Sequence, residues 1–289
     1  MNKPWLQPYG KDVPREIDAD IYPSTIAIVD EAVARFADLP AFECFGETMS
    51  YAEIDRASRA VAAWLSKAGV RRGDRIALMC PNIFAFPIAM LGILRAGAAQ
   101  VNVNPLYTPR ELAHQLNDAG VETILVFSGS TPALAEVLDD TPIRNVVTID
   151  LGDGSGLDIP SPAVDERLAG AVRLADVLTE GASLEFHPVD LNGEDIIFFQ
   201  YTGGTTGLSK AAVLTHRNIV ANGQQFAKFM PEAHEIGKEV VVLALPLYHI
   251  FGGPGHGFLR QRRALLSRGT GVEHGRQERR ETWRDGGLG

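Results

Sequence analysis

Four short apolar runs punctuate the first half of the chain: 75-RIALMC-80, 99-AQVNVN-104, 123-TILVFS-128 and 145-NVVTID-150. Helical stretches separate them, and this alternation constrains the fold more than any other feature. Short apolar runs flanked by charged or turn residues read as strands buried on both faces. Strands that alternate with helices build βαβ units, in which each helix returns the chain to the starting end of the sheet. The expected fold class is therefore α/β, with a mostly parallel sheet covered on both sides.

The helices announce their own ends. In 50-SYAEIDRASRAVAAWLSKAG-69, Ser50 and Glu53 have the spacing of a capping box. Ile54, Ala57, Val61, Trp64, Leu65 and Ala68 form an apolar stripe at helical spacing, and Gly69 suits the position after the last turn. The pattern recurs in 108-TPRELAHQLNDAG-120: Thr108 is the expected N-cap, Pro109 the first helical residue, Glu111 the partner in the box and Gly120 the stop. Trp64 and the Leu, Ile and Phe positions in this half read as core.

Between Arg75 and Arg95 lie 19 consecutive uncharged residues, Ile76 to Leu94, nearly the length of a membrane span. Pro81, Asn82 and Pro87 interrupt them. The expectation is a buried strand at Ile76 to Met79, a turn at Cys80-Pro81-Asn82, and a buried helix ending near Gly97. Residues 151–194 are rich in Gly, Pro, Ser and Asp at first and read as a surface loop, with one short helix at Leu174 to Thr179.

Composition excludes several classes. With 45% hydrophobic and 22% charged residues in 289, the chain is an ordinary globular one. Its net charge of −9 argues against nucleic acid as the main partner. Cys44 and Cys80 sit in no CxxC or Cys/His cluster, which suits buried thiols in a reducing compartment and supplies no zinc site. The first 18 residues contain no apolar core, so no secretory signal peptide is expected.

The most specific stretch is 200-QYTGGTTGLSK-210. It follows 195-DIIFFQYT-202, which reads as a buried strand, and precedes 210-KAAVLTH-216, a second strand, with a helix starting near Thr215. Gly203, Gly204 and Gly207 permit backbone N–H groups to converge on an anion, because no Cβ obstructs the approach. Thr202, Thr205 and Thr206 add hydroxyl donors, and Lys210 adds a compact positive charge. A Walker A loop requires the lysine directly after a glycine; here Leu208 and Ser209 intervene. No GxGxxG occurs in this stretch, so a dinucleotide fold has no support. The bland alternative, a flexible hairpin with a solvated lysine, fits Gly/Thr composition in general. It does not account for six ordered positions, TGGTTG, followed by a spaced lysine.

YTGGTTGLSKAAVLTHRN resembles the phosphate-binding signature of the adenylate-forming enzymes, the acyl-CoA synthetase superfamily, and in particular bacterial long-chain-fatty-acid–CoA ligases. The resemblance extends through KPWLQPYGKDVPREID, GILRAGAAQVNVNPLYTPRELAHQLNDAG and 243-LALPLYHIFG-252, and so covers residues 1–252 almost continuously. Ala211, where the family usually has a glycine, is one departure. The resemblance implies that a fatty acid and ATP form an acyl-adenylate and pyrophosphate with Mg²⁺ assisting, and that coenzyme A then yields the thioester and AMP. It assigns the loop from Tyr201 through Thr202, Gly203, Gly204, Thr205, Thr206, Gly207, Leu208, Ser209, Lys210 and Ala211 to Ala212 to the ATP phosphates. It places His249 of PLYHIFG beside the acyl carboxylate and α-phosphate, whereas a lone imidazole at a strand end would by itself read as structural. His216 reads as structural. A cytoplasmic location with peripheral contact at the inner membrane is the further implication; oligomeric state is left open.

After Phe251 the text changes. Residues 254–289 carry eight Arg, no Lys and four acids, net +4, and no strand or amphipathic pattern is traceable in them. Either this is a basic, disordered extension, or a frame-shifted reading of a GC-rich gene. The second is favoured, and the coding DNA around Phe251 and Gly253 distinguishes them. The expected organisation is thus a partial N-terminal AMP-binding domain at 1–252 and a non-family, disordered tail at 253–289. A complete family member is about twice as long, so the expectation is an inactive truncated portion with an unpaired sheet edge. The alternatives are a non-catalytic nucleotide-binding module, an interaction fragment, and a related ligase for another carboxylic acid.

Overall fold

The computed structural model describes residues 4, 9–10, 13–202, 209–229 and 240–249, together with the backbone of 263–266. The helix α1 (Thr25–Phe36) leads into a hairpin, β1 (Pro40–Cys44) and β2 (Glu47–Ser50), whose two-residue turn places Phe45 at φ 57° and Gly46 at φ 81°. Positive φ at both turn positions matches the twist of the flanking strands. The next helix is α2 (Tyr51–Lys67), and its N-terminus bears the expected capping box: Glu53 N–H donates to Ser50 Oγ, and Ser50 N–H to Glu53 Oε2.

The alternating segment follows as β3 (Arg75–Met79), α3 (Ala85–Arg95), β4 (Ala99–Asn102), α4 (Pro109–Ala119), β5 (Thr123–Phe127), α5 (Thr131–Val137) and β6 (Asn145–Ile149). It continues through β7 (Val172–Arg173), α6 (Leu174–Gly181), β8 (Ile196–Thr202), β9 (Lys210–Thr215) and α7 (His216–Phe229). Seven of these strands form one sheet in the order β7-β6-β5-β3-β4-β8-β9. All its pairings are parallel except β8–β9, which is antiparallel. The α/β expectation is met, and the near-span from Ile76 to Leu94 is indeed a strand and a helix. Among the described residues no helix is long and apolar enough to cross a membrane.

A smaller sheet has the order β10-β11-β1-β2, with β10 (Val240–Leu243) and β11 (Arg263–Leu266). The sequence offered no strand beyond Gly253, and β11 corrects that reading. Its backbone runs parallel to both β1 and β10 and completes their open hydrogen-bonding edges. The rest of the stretch from 250 onward lies outside the described residues.

Two cores flank the large sheet. On one face α2, α3 and α6 pack through Val61, Leu65, Ile88, Leu91 and Val177; on the other α4 and α5 pack through Leu112, Leu116 and Leu134. Every residue of α3 is buried. Helix α2 approaches it so closely that a Cβ at Gly92 would lie 2.4 Å from Val61 Cγ1. The last residue of α3, Arg95, is 2% exposed, and its guanidinium reaches Asp55 at 2.7 Å, Asp30 at 2.8 Å and Ser58 Oγ at 3.1 Å. One buried cation thereby joins α1, α2 and α3, and the cost of desolvating it offsets much of what the pairing gains. Cys44 and Cys80 are buried and form no disulfide.

The loop after β6 carries a carboxylate at a disfavoured place. Burial raises the Asp153 pKa to about 6, against the opposing hydrogen bond from Asp150 N–H, and the Asp150 charge adds to the rise. Because the folded state holds this proton more tightly than the unfolded chain, stability declines as pH rises from about 4 to about 6. Asp153→Asn keeps an acceptor for Asp150 N–H. It should therefore stabilise the protein by about 1 kcal/mol above pH 7, after allowance for solvent screening, with no gain near pH 4. Urea unfolding at the two pH values measures this; an equal effect at both would contradict it.

Candidate functional site

Parallel strands deliver their carboxyl ends to one edge of the sheet, and in open α/β sheets ligands bind along that edge. Strand β8 lies inside the sheet between β4 and β9, and its residues Ile197 to Tyr201 are buried. Its β-branched and aromatic content suits that position. It ends at Thr202, whose partner in the antiparallel register is Lys210, the first residue of β9; Tyr201 pairs with Ala211 and Gln200 with Ala212. The expected order of strand, glycine loop, strand and helix is therefore present. Of the loop itself, Gly203, Gly204, Thr205, Thr206, Gly207 and Leu208 lie outside the described residues. Thr202, Lys210 and Ala212 are exposed, while Tyr201 is buried.

Both feet of the loop rest on α4. At the entry, Tyr201 Oη donates to Asp118 Oδ2 at 2.5 Å. At the exit, the Ser209 carbonyl oxygen lies 3.1 Å from His114 Nε2. Residues 114 and 118 are one helical turn apart and so share a face of α4. Burial, and then the hydrogen bond donated to the Asp118 carboxylate, push the Tyr201 phenol well above its ordinary value. The phenol is thus a firm donor at neutral pH.

Across β4 and the end of β8 runs a row of buried amides. Gln100 Nε2 donates to Asn102 Oδ1 at 2.5 Å, Asn102 Nδ2 to Gln200 Oε1 at 2.9 Å, and Gln200 Nε2 to the Tyr201 carbonyl oxygen at 3.2 Å. From α4, Gln115 Nε2 donates to the Asn102 carbonyl oxygen at 2.7 Å. Polar groups this deep are stable when bonded to one another, and here the bonding is partial: Gln100 Oε1 and Gln115 Oε1 are buried without a hydrogen-bond partner. None of these residues is conspicuous in the sequence. Gln200 and Asn102 stand inside apolar runs, and that placement is the signal that could have marked them.

Along the same edge the turns after β3, β4, β5 and β6 surround a largely apolar cavity of about 290 Å³. Leu106, Phe127 and Leu151 line it from the sheet side, and Pro246 and Tyr248 close it from the segment after β10. His249 ends the described part of that segment. It is exposed, and its backbone N–H donates to the Pro246 carbonyl oxygen at 3.1 Å. The segment is held by Asn82, whose amide bonds the main chain of Leu243, Leu245 and Leu247. His216 stands apart from this edge. Its Nδ1 accepts from Thr25 N–H at 3.2 Å, and burial lowers its pKa to about 4, so the ring is neutral and serves packing.

The AMP-binding enzyme family matches residues 29–258. A long-chain-fatty-acid–CoA ligase of Escherichia coli O6:H1 is 44% identical over 264 residues, covering 87% of this chain and 47% of the relative. The 4-coumarate–CoA ligase 3 of Oryza sativa subsp. japonica is 31% identical over 237 residues, covering 79% and 39%. Among solved structures, a long-chain-fatty-acid–CoA ligase of Archaeoglobus fulgidus superposes with a TM-score of 0.76 at 26% identity, covering 96% of this chain and 53% of that one. The chain thus spans about half the length of the curated relatives it matches. The family match runs six residues past the boundary read from the sequence at 252.

The contact between loop and helix is testable by stability. Tyr201→Phe and Asp118→Ala should each cost about 1 kcal/mol, and the double variant should cost no more than either alone, because the two share one hydrogen bond. Asp118→Asn should recover most of the loss, since its amide oxygen still accepts. Additive losses in urea unfolding would contradict the contact.

Proposed function

Because the chain belongs to the AMP-binding enzyme family, we propose that its activity is the ATP-dependent joining of a long-chain fatty acid to coenzyme A. In the first step a carboxylate oxygen of the acid attacks the α-phosphorus of ATP, forming an acyl-adenylate as pyrophosphate leaves. In the second the coenzyme A thiol attacks the acyl carbon, giving the thioester and AMP. The observation that carries this reading is the β8–β9 hairpin, closed in register at Thr202 and Lys210 on the carboxyl edge of the sheet. The likeness to long-chain-fatty-acid–CoA ligases supports the acyl class.

The chemistry asked of this part of the chain is grip and charge neutralisation. Adenylyl transfer depends on holding the phosphates in line and on offsetting the charge that builds on the departing pyrophosphate. Residues Tyr201 to Ala212 are assigned to both. Loop N–H groups and the hydroxyls of Thr202, Thr205 and Thr206 donate to phosphate oxygens, and Lys210 supplies the cation. His249 is assigned to the acyl carboxylate, which it orients for attack. The apolar cavity beside Tyr248 offers a wall for an uncharged part of the substrates. Mg²⁺ belongs to the same reading, but among the described residues no group of three or more His, Cys, Asp or Glu side chains converges to hold a cation. No step is therefore assigned to it.

In domain terms, residues 1–252 are read as part of the N-terminal AMP-binding domain and 253–289 as lying outside the family pattern, with the family match at 253–258 setting the margin. Cytoplasmic location, with contact at a membrane surface where long-chain acids partition, follows from the proposed substrate.

Titration calorimetry tests the phosphate grip. Mg-ATP should bind, inorganic pyrophosphate should compete with it, and Lys210→Ala should weaken both about tenfold, equivalent to about 1.4 kcal/mol. Binding of ATP that pyrophosphate does not displace and Lys210→Ala does not weaken would contradict the assignment.

A further inference from the structure

One side-chain amide makes three hydrogen bonds to the segment that carries His249, a segment that also buries Leu243 and Leu247 in the core. Asn82 sits in the turn after β3 and is 6% exposed. Its Oδ1 accepts from Leu247 N–H at 2.8 Å, and its Nδ2 donates to the carbonyl oxygens of Leu243 at 3.1 Å and Leu245 at 2.9 Å. The amide thus uses both donor hydrogens and its acceptor on the alternate residues Leu243, Leu245 and Leu247, at a separation of more than 160 residues. Two residues past Leu247, the His249 N–H closes a turn onto the Pro246 carbonyl oxygen. The grip on Leu247 therefore reaches the backbone of His249 through one short turn.

The anchor is rigid. Ile83 N–H donates to the Pro81 carbonyl oxygen at 2.9 Å, and Ile83 and Phe84, each 1% exposed, lead directly into the wholly buried α3. Asn is also the side chain that fits. Aspartate would set a carboxylate against two carbonyl oxygens, alanine would leave three backbone groups without this partner, and lysine or arginine lacks an acceptor. We infer that Asn82 is the positioning residue for His249, holding its segment at the carboxyl edge of the sheet where the acyl carboxylate is to be oriented. This rests on the role proposed above for His249. Acyl activation is sensitive to displacements of about 1 Å in the groups that orient the reactants, so a three-point grip two residues away bears on the reaction as well as on packing.

The test uses the full chain labelled at histidine Cε1, with the His249 resonance assigned by its loss in His249→Gln. Asn82→Asp and Asn82→Ala should shift or broaden the His249 resonance and leave that of the buried His216 in place. Hydrogen exchange should separate the two variants. The Leu247 amide should exchange at least tenfold faster in Asn82→Ala but remain slow in Asn82→Asp, which keeps an acceptor oxygen. An unchanged His249 resonance in Asn82→Asp, with His216 confirming the fold, would overturn the inference. Binding of a fatty acid with Mg-ATP that His249→Gln does not alter would instead remove the role proposed for His249; a shifted His249 resonance in the Asn82 variants would still establish the grip.

Discussion

Between Ile76 and Leu94 the chain carries no charge, and this stretch forms a strand and a helix from which water is excluded on every side. Removing that much apolar surface from water is the dominant favourable term available to the fold, at about 25 cal/mol per Å². It also dictates the neighbours. Helix α2 must come close enough to cover α3, which Gly92 permits, and Arg95 at the end of the buried stretch must find carboxylates on α1 and α2. The strand half, β3, lies at the centre of the order with β5 and β4 on its two sides.

The consequences for the candidate site run through the carboxyl ends of these strands. The turn after β3 supplies Asn82, which holds the 243–249 segment; the end of β4 supplies Asn102, which holds Gln200 of β8; and α4, which follows β4, receives both feet of the glycine loop. The two feet of the glycine loop, Tyr201 and Ser209, and the His249 segment lie far along the chain from this early unit. They are nevertheless referred to it together, through side-chain amides, the Tyr201–Asp118 bond and the His114–Ser209 contact. A site whose supports come from helices and strands gains precision from them.

Much of this could be read from residues. Ser50 with Glu53 and Thr108 with Glu111 cap helices as their spacing required, and the apolar runs became strands because each is too hydrophobic for solvent and too short to be anything else in a covered sheet. Gly203 to Leu208 lie outside the described residues, but the two strands that flank the glycine loop were legible from their apolar runs. The β1–β2 hairpin was not, since its turn is Phe45-Gly46, with an aromatic residue at positive φ where Asn or Asp is the usual signal. Asn82 was read only as a turn residue, and His114 and Asp118 escaped notice. Their partners lie 83 to 165 residues away, and nothing local distinguishes a clamp from an ordinary turn or helix-surface residue. The pairing of β11 depends on open edges of β1 and β10 that no local pattern reveals.

The central claim is that nucleotide phosphates are gripped at the carboxyl edge, where β8 passes into β9. Hydrogen–deuterium exchange of the chain with and without saturating Mg-ATP tests it most directly. The account predicts slowed exchange in peptides spanning 200–212, with no change at the opposite margin of the sheet in β7 and α6. Protection centred on 172–181 with none in 200–212 would contradict it.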